Sequence, residues 1–416
     1  MSLEAPLYYL RAWPQGLGKG DPYVFTDRVM GIKFEDTESA ADKLEFDMDN
    51  FDLAYFDNPI VRAGVAIEAS WGYAGIQSPA HSLVIQSVKG FNVLKVVALD
   101  KSILMHKKQR SRTFNGMTRS EVVEQIAKEN GYSDPGFVRI QATETRYEHI
   151  VQAAMTDAAF IASLAKKEGA IFYIDTDGFH WHARDLGQRP IRSFTYYGPA
   201  GGSRDAIIGY PTIENDVMAK PGRVVSKGSD PTTKTPNDAK ADNDSTDRKG
   251  LADDAELVSP TGAITTVTGQ DGIQRDGLGM ELLKQSSDPT KTGTKASADG
   301  AFKAGQLLSA QMSFNALGDP GMVAKSIIEV TFPGAKSISG KYYVASVEHT
   351  INQSGYLMQL KVKRDGRNPA KVANPTKADP NRLDAVDPDA LQAQDVSKTG
   401  VVSQIYQDTK GRGTGG

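Results

Sequence analysis

No cysteine occurs in the 416 residues, which excludes disulfide scaffolds, thiol catalysis and thiolate zinc sites. Histidine is nearly as scarce, and six residues spread thinly supply a His-only metal centre poorly. Neither sign of charge prevails. Lys+Arg number 48 against 51 Asp+Glu, a net charge of -3, which argues against a protein whose main work is coating nucleic acid. Long apolar runs are missing too. The densest short one, VLKVVAL (93–99), carries a lysine, and nothing approaches the roughly 18 apolar residues that span a membrane. The start, MSLEAPLYYLRAW, has no basic segment ahead of an apolar one and does not read as a signal peptide, so the expectation is a chain made and folded in a cytoplasm. What is present suffices for real cores. Hydrophobic residues make up 39% and charged ones 24%, over a length that suggests about two to three domains.

Composition shifts twice. From Pro211 to Ala301 there is no Phe, Tyr or Trp, and between Ser226 and Leu257 the only large aliphatics are Leu251 and Leu257. The segment SDPTTKTPNDAKADNDSTDRKG (229–250) cannot bury enough surface to offset its ordering entropy and reads as a mobile loop or linker. More widely, 229–257 is expected to stay outside either β-core. The last 48 residues, from Pro369, hold four prolines and one aromatic, Tyr406. They read as a tail that is disordered or ordered only on a partner, with VVSQIY (401–406) able to add to a neighbour's sheet edge.

Elsewhere strand signals dominate. KLEFDMD (43–49) alternates Leu44, Phe46 and Met48 with charged residues, and VAIEASW (65–71) places Val65, Ile67, Ala69 and Trp71 on one face. YYVASVEHTI (342–351) and YLMQLKVKR (356–364) flank a four-residue Asn-Gly loop and predict a hairpin. Its second strand turns Tyr356, Met358, Leu360 and Val362 to a core, and Lys361 and Lys363 away from it. Thr118 and Glu121 form a capping box opening one helix, with Gly131 beyond its end. A second helix runs over 156–169, from Thr156 as N-cap to Gly169, and feeds a further hairpin, AIFYID then FHWHARD. The offsets +6, +8, +10 and +12 after Asn58-Pro59 give Val65, Ile67, Ala69 and Trp71, and after Asp319-Pro320 they give Ser326, Ile328, Val330 and Phe332. This reads as two similar β-domains in one chain, or as two strand signals alike by chance.

The search for chemistry returns nothing. His180 and His182 share a strand face, yet two ligands do not close a metal site and no third is placed by local spacing. HKKQRSR (106–112) gathers Lys107, Lys108, Arg110 and Arg112 beside His106. Without interleaved aromatics it reads as a solvated loop or as facing an acidic protein neighbour. FPGAKSISGKYY (332–343) fails as a phosphate loop, because five residues separate Gly334 from Gly340 and Tyr342 stands where Ser or Thr is needed. GPAGGS (198–203) and GQDGIQRDGLG (269–279) lack a helix start to aim amides at an anion, and ADNDSTD (241–247) lacks the glycine and distal glutamate of a calcium loop. Asp175 and Asp177 sit at a hairpin turn, where such residues belong anyway. No catalytic, cofactor-binding or metal-binding residue is therefore assigned, no cofactor is expected, and the reading is a structural or interaction protein.

The segment TDAAFIASLAKKEGAIFYIDTDGFHWHARD (156–185) resembles the helix-then-hairpin signature of the phage late control D family, tail hub proteins of contractile phages, and of the N-terminal part of valine-glycine-repeat spike proteins. The matching pieces are Thr156-Asp157, Phe160-Ile161, Leu164-Ala165, Glu168-Gly169 and Phe172-Tyr173. LEFDMDNFD (44–52), SWGY (70–73), SRTFNGMTRSEVVEQIAKENGY (111–132) and GKYYVASVEHTINQSGYLMQLKVKRDG (340–366) follow in the family's order, with His349 and Gly355-Tyr356 matching. The resemblance covers most of 20–230 and 300–366. It departs over 229–299 and the tail, and no repetitive needle follows, so a spike would be a separate chain.

The resemblance implies an α+β, β-dominated fold with two related β-barrel-like tube domains and a smaller helix-and-hairpin α+β domain. The expected partition is 1–112 for the first tube domain and 113–200 for the helix-and-hairpin domain. Residues 201–228 with 300–368 make the second tube domain, 229–299 a polar excursion and 369–416 the tail. It further implies a homotrimer in the virion baseplate, assembled in the host cytoplasm, that joins a sixfold tail tube protein to a threefold spike protein and to baseplate wedge proteins. A lumen would pass the tape measure protein and, only in transit, DNA. The hub of a bacterial contractile injection system is a second reading, and a virion-borne or secreted polysaccharide or peptidoglycan hydrolase a third.

Overall fold

The computed structural model describes residues 5–16, 18–197, 205–214, 221–230, 233–242, 251, 266–268, 274–276, 280–286, 288, 290–308 and 310–365. The tail from Pro369, the GPAGGS loop and most of ADNDSTD and GQDGIQRDGLG lie outside them.

Alternation of apolar and polar residues builds the first lobe. Its strands are β1 (Leu7–Trp13), β2 (Tyr23–Val24), β3 (Val29–Thr37), β4 (Lys43–Asp49), β5 (Ala66–Tyr73), β6 (Ile76–Gln77), β7 (His81–Gly90) and β8 (Val93–Asp100). They pair in the order β3-β4-β8-β7-β5-β1, every neighbour antiparallel. Leu44, Phe46 and Met48 point inward as the sequence predicts, and meet Phe34, Ile67, Trp71 and Val96 in one core.

Next comes the helix-and-hairpin module. Strand β9 (Gln109–Thr118) pairs antiparallel with β11 (Arg146–Thr156), and the short β10 (Val138–Ile140) lies parallel to β13 (Gly178–Ala183), which closes the hairpin with β12 (Ala170–Asp175). Helix α1 (Arg119–Glu129) opens on the expected capping box of Thr118 and Glu121, and Gly131 just beyond it has φ +89°. Helix α2 (Asp157–Glu168) is capped by the Thr156 hydroxyl and ended by Gly169 in the left-handed region. A side chain at Gly169 would strike the backbone of Gly300. Val122, Ile126, Phe160, Ile161 and Leu164 bury the apolar stripes of the two helices against Trp181.

The second lobe uses β14 (Arg192–Thr195), β15 (Ile207–Glu214), β21 (Ala310–Leu317), β22 (Ile327–Thr331), β23 (Gly340–Asn352) and β24 (Gly355–Arg364). Their order is β15-β21-β24-β23-β22-β14. Substituting β3, β4, β8, β7, β5 and β1 in turn reproduces the first lobe. Even irregularities coincide: β7 bulges between Ile85 and Ser87 against β8, and β23 bulges between Val344 and Ser346 against β24. One difference is that β14 runs parallel to β22. The eight residues matched by spacing after Asn58-Pro59 and Asp319-Pro320 are all buried, in β5 and β22 or the residue beside them. The duplication is thus a property of the topology. The lobes are also continuous, because β23 pairs with β3 to fuse them into one open sheet.

Two expectations need correction. The 352–355 loop is tighter than four residues: Asn352 pairs with Gly355, and the Asn352 side chain accepts from Ser354 N at 2.8 Å. The stretch 229–299 is not simply a polar excursion, nor is β16 (Pro221–Lys227) part of the second lobe. Strand β16 lies between β17 (Ala239–Ala241) and β20 (Met280–Gln285) in a separate sheet, covered by helix α3 (Lys291–Gln306); β18 (Thr266–Thr268) and β19 (Gln274–Asp276) form a further pair. Val224 and Ala241 pack on Ala298 and Phe302. Apart from Phe302, which lies just past the aromatic-free stretch, small side chains build this core, so an aromatic-poor composition concealed it. Leu251 also enters a core, with Leu307, Ile327 and Tyr343, and its N–H donates to Asp365 at 3.0 Å.

Candidate functional surface

The face of the fused sheet turned away from the two cores carries a polar surface. Strand register sets its rows. One runs Val84, Leu99, Lys43, Glu35, Glu348, Gln359 and Asn315 across both lobes. The next runs Ser87, Val97, Glu45, Lys33, Thr350 and Leu357. Charges of opposite sign meet along and between these rows. Lys33 pairs with Glu348 at 2.9 Å across the lobe junction, and Lys43 reaches Glu35 and Glu45, each at 3.2 Å. Half-exposed pairs of this kind stabilise little individually; their effect here is to leave neither sign in excess. Lys33, Glu45, Asp47, Lys89 and Lys95 line a shallow groove of about 450 Å³ on this face.

Tyr356, Met358, Leu360 and Val362 are buried, and Lys361 is exposed on the polar side. Lys363 bonds Glu38 at 2.9 Å, and Glu38 also accepts from Arg184 at 2.8 Å. Burial would raise the Glu38 carboxyl, but Arg184 and Lys363 outweigh it and hold it below the usual range.

Behind the face, the two lobes and the module meet at a buried ionic cluster. The Lys325 ammonium bonds Asp36 and donates to Thr37 O at 3.1 Å, while Ala324 N–H donates to Asp36 at 2.8 Å. The same ammonium lies 4.5 Å from the Tyr173 ring centre. Burial alone would lower the Lys325 pKa, yet Asp36 and Asp42 raise it. Asp42 is pushed well up by burial and by Asp36. A relay of hydrogen bonds crosses the same junction. Trp71 Nε1–H donates to Tyr356 Oη at 3.1 Å, Tyr356 donates to His349 Nδ1 at 2.8 Å, and His349 Nε2–H donates to Met322 O at 3.0 Å. That order is the one a neutral imidazole takes, and burial, which lowers the His349 pKa to about 4, keeps the ring neutral near pH 7.

The residues singled out from sequence have structural partners. His180 donates from Nε2 to Asp175 at 3.0 Å and stacks on Tyr173, whereas His182 turns its Nδ1 to Ala183 O. Asp175 also accepts from the N–H groups of Asp177 and Gly178, which makes it the anchor of the turn. Burial opposes ionisation of Asp175, but the bond from His180 lowers its pKa overall. The basic run faces acidic neighbours within the chain: Arg112 bonds Glu129 at 2.5 Å and Asp157 at 3.0 Å, and Arg110 bonds Glu129 at 3.1 Å. Part of that run is strand β9 and not loop. In 332–343 the Ser339 hydroxyl closes a turn onto Phe332 and Ala335. Among the described residues, no group of three or more His, Asp or Glu is placed to hold a metal ion. Sequence reasoning missed Asp36, Lys325 and the Arg119 guanidinium, which is buried between Glu168 and Asp288. The acidic FEDTESAAD (34–42) was the one local signal available for Asp36; Lys325 had none.

This arrangement is a β-dominated fold shared with phage tail proteins. Similar solved structures include the tail protein from Neisseria meningitidis MC58, at 13% identity and TM-score 0.60, over 88% of this chain and 100% of that one. Another is the 43 kDa tail protein of prophage MuSo2 from Shewanella oneidensis, at 13% identity and TM-score 0.57, over 87% and 99%. At such identities the likeness is one of fold. No curated protein matches the sequence. Residues 45–353 match the family model described as Alg8 N-terminal domain, and the chain belongs to that family.

Proposed function

We propose that the chain is a structural tail hub of the late control D type, a homotrimeric adapter at the centre of a contractile phage baseplate. The observation that carries this reading is the duplicated lobe. Two lobes with one strand order lie on one sheet, so three copies present six similar units to a sixfold tube protein while keeping threefold symmetry for a spike protein. The charge-balanced face supports its use as the lumen wall, past which the tape measure protein and then DNA move, since bare rows of lysine would hold a polyanion by counterion release. The partition drawn from sequence is kept in outline, with the first tube domain ending before β9 at Gln109 instead of at 112 and the helix-and-hairpin domain ending before β14 at Arg192 instead of at 200, and with baseplate wedge proteins contacting the outside. In this reading the protein is assembled in the host cytoplasm, resides in the virion, and is not an enzyme. The hub of a bacterial injection system would do the same mechanical work.

The test is the mass of the purified full chain by native mass spectrometry, together with its position in assembled tails by electron cryomicroscopy. Three copies in one ring between tube and spike are expected. A chain absent from the tail would overturn the reading, as would peptidoglycan or capsule degradation that is lost on Asp175→Ala and Asp177→Ala.

A further inference from the structure

The two lobes differ most where one has a partner and the other has none. In the second lobe, the first half of β23 pairs with β22 and its second half, Ser346–Ile351, pairs with β3. In the first lobe, the first half of β7 pairs with β5 in the equivalent way. Its second half, Ser87–Gly90, has β8 on one side, and among the described residues no strand on the other. Strand β15, the equivalent of β3, is likewise paired only with β21 along its length. Besides the outer strands β2, β6 and β14, the sheet therefore leaves two edges unpaired among the described residues, and each is the counterpart of one side of the β23–β3 junction.

Exposure follows the missing neighbours. Phe34 of β3 and Val347 of β23 are buried at the junction, whereas their equivalents Ile213 and Val88 are exposed and half-exposed. Tyr210, also on β15, is 77% exposed. The register can be carried over as well. Shared pairings make Lys89 the equivalent of Glu348 and Glu214 the equivalent of Glu35, residues that face each other in the junction. Within the chain that position opposes two carboxylates, relieved by Lys33 and Lys43. Between copies it would oppose a lysine and a glutamate.

We infer that the end of the β15 edge of one copy pairs antiparallel with the free end of β7 in the next copy, Lys89 opposite Glu214 and Gly90 opposite Ile213, in the register of the β23–β3 junction within the chain. The occupant of each edge is a second copy of this chain, because continuity with the existing junction and the complementary charges both specify it. Such a contact is head-to-tail, so it closes only as a ring. The inference deepens the ring reading above by naming the strands and residues that meet.

The chain has no cysteine, so an engineered pair reports without background. Directly opposed antiparallel residues have Cα atoms about 4.5–5.5 Å apart, within disulfide reach. The full-length Lys89→Cys/Glu214→Cys variant should, on oxidation with diamide, give chain-to-chain disulfides that close into a ring. The Glu35→Cys/Glu348→Cys variant is the control and should close within one chain. Lys89→Glu should weaken self-association about fivefold, with Lys89→Glu/Glu214→Lys restoring it. Monomers alone from the first double variant while the control closes would overturn the inference, as would equal cross-linking by either single cysteine. Three copies in a tail ring without this bond would defeat the edge pairing alone. A bonded ring that never joins a tail would defeat the hub reading alone.

Discussion

Gly64 and Lys325 occupy one position in the repeated lobe. Gly64 N–H donates to Ile85 O at 2.7 Å and Lys325 N–H to Val344 O at 2.8 Å, each at the bulged residue of its long strand. Both have positive φ, +91° and +65°. Glycine meets that requirement without strain in the first lobe. In the second, a lysine adopts it while its ammonium is held by Asp36, so the strained backbone places the cation that joins the lobes.

Gly64→Ala should therefore destabilise by about 1–2 kcal/mol from backbone strain alone, since no atom crowds the added methyl. Lys325→Ala keeps the backbone strain, because alanine also carries a Cβ, and leaves Asp36 buried without its cation, so it should cost about 3–5 kcal/mol. Urea unfolding of the two variants checks the order. A smaller loss for Lys325→Ala than for Gly64→Ala would contradict the importance of the ion pair.

His349 makes stability depend on acid. Its folded pKa is lowered to about 4 from 6.5 by burial, although Asp36 and Asp319 act the other way and His81 adds to the lowering. A base lowered on folding contributes stability that is complete above pH 6.5 and declines as pH falls from 6.5 towards 4. The loss is about 3 kcal/mol. His81, stacked on Trp71 and also lowered to about 4 by burial, adds in the same direction. Tm should fall through this window, and His349→Gln should flatten the slope while leaving part of it to His81. An unchanged slope in the variant would show that His349 does not titrate as described.

The two faces of β24 should respond oppositely. Leu360, fully buried, should cost about 2–5 kcal/mol on Leu360→Ala, and Leu360→Asp should abolish folding. Lys361→Glu on the exposed face should change fold stability by no more than about 0.5 kcal/mol and act only on assembly or ejection. Denaturant midpoints compared with ring formation separate the effects.

Charge balance on the polar face predicts weak binding of DNA. Duplex affinity of the purified oligomer at physiological salt should stay at the non-specific level, about 1–100 μM. Submicromolar binding that disappears on Lys361→Glu would show that the face holds a polyanion instead of letting it pass.

What the sequence determined by itself is what acts over a few residues. The alternation in KLEFDMD, the capping box at Thr118 and Glu121, Gly169 after α2, and the turn between β12 and β13 each reflect a period or a terminal hydrogen bond formed locally. The Val65–Trp71 and Ser326–Phe332 spacing belongs with these, because one strand alternation records the repeat in each lobe. Tertiary structure decided what joins distant segments. No local rule brings Ser346–Ile351 beside Ile32–Thr37, sets Lys325 against Asp36, or lays Arg119 on Glu168 and Asp288. A charge in sequence carries no mark of the partner that will satisfy it, and a strand edge none of the strand that will take it. Both are chosen only when the cores on either side have packed and fixed the register.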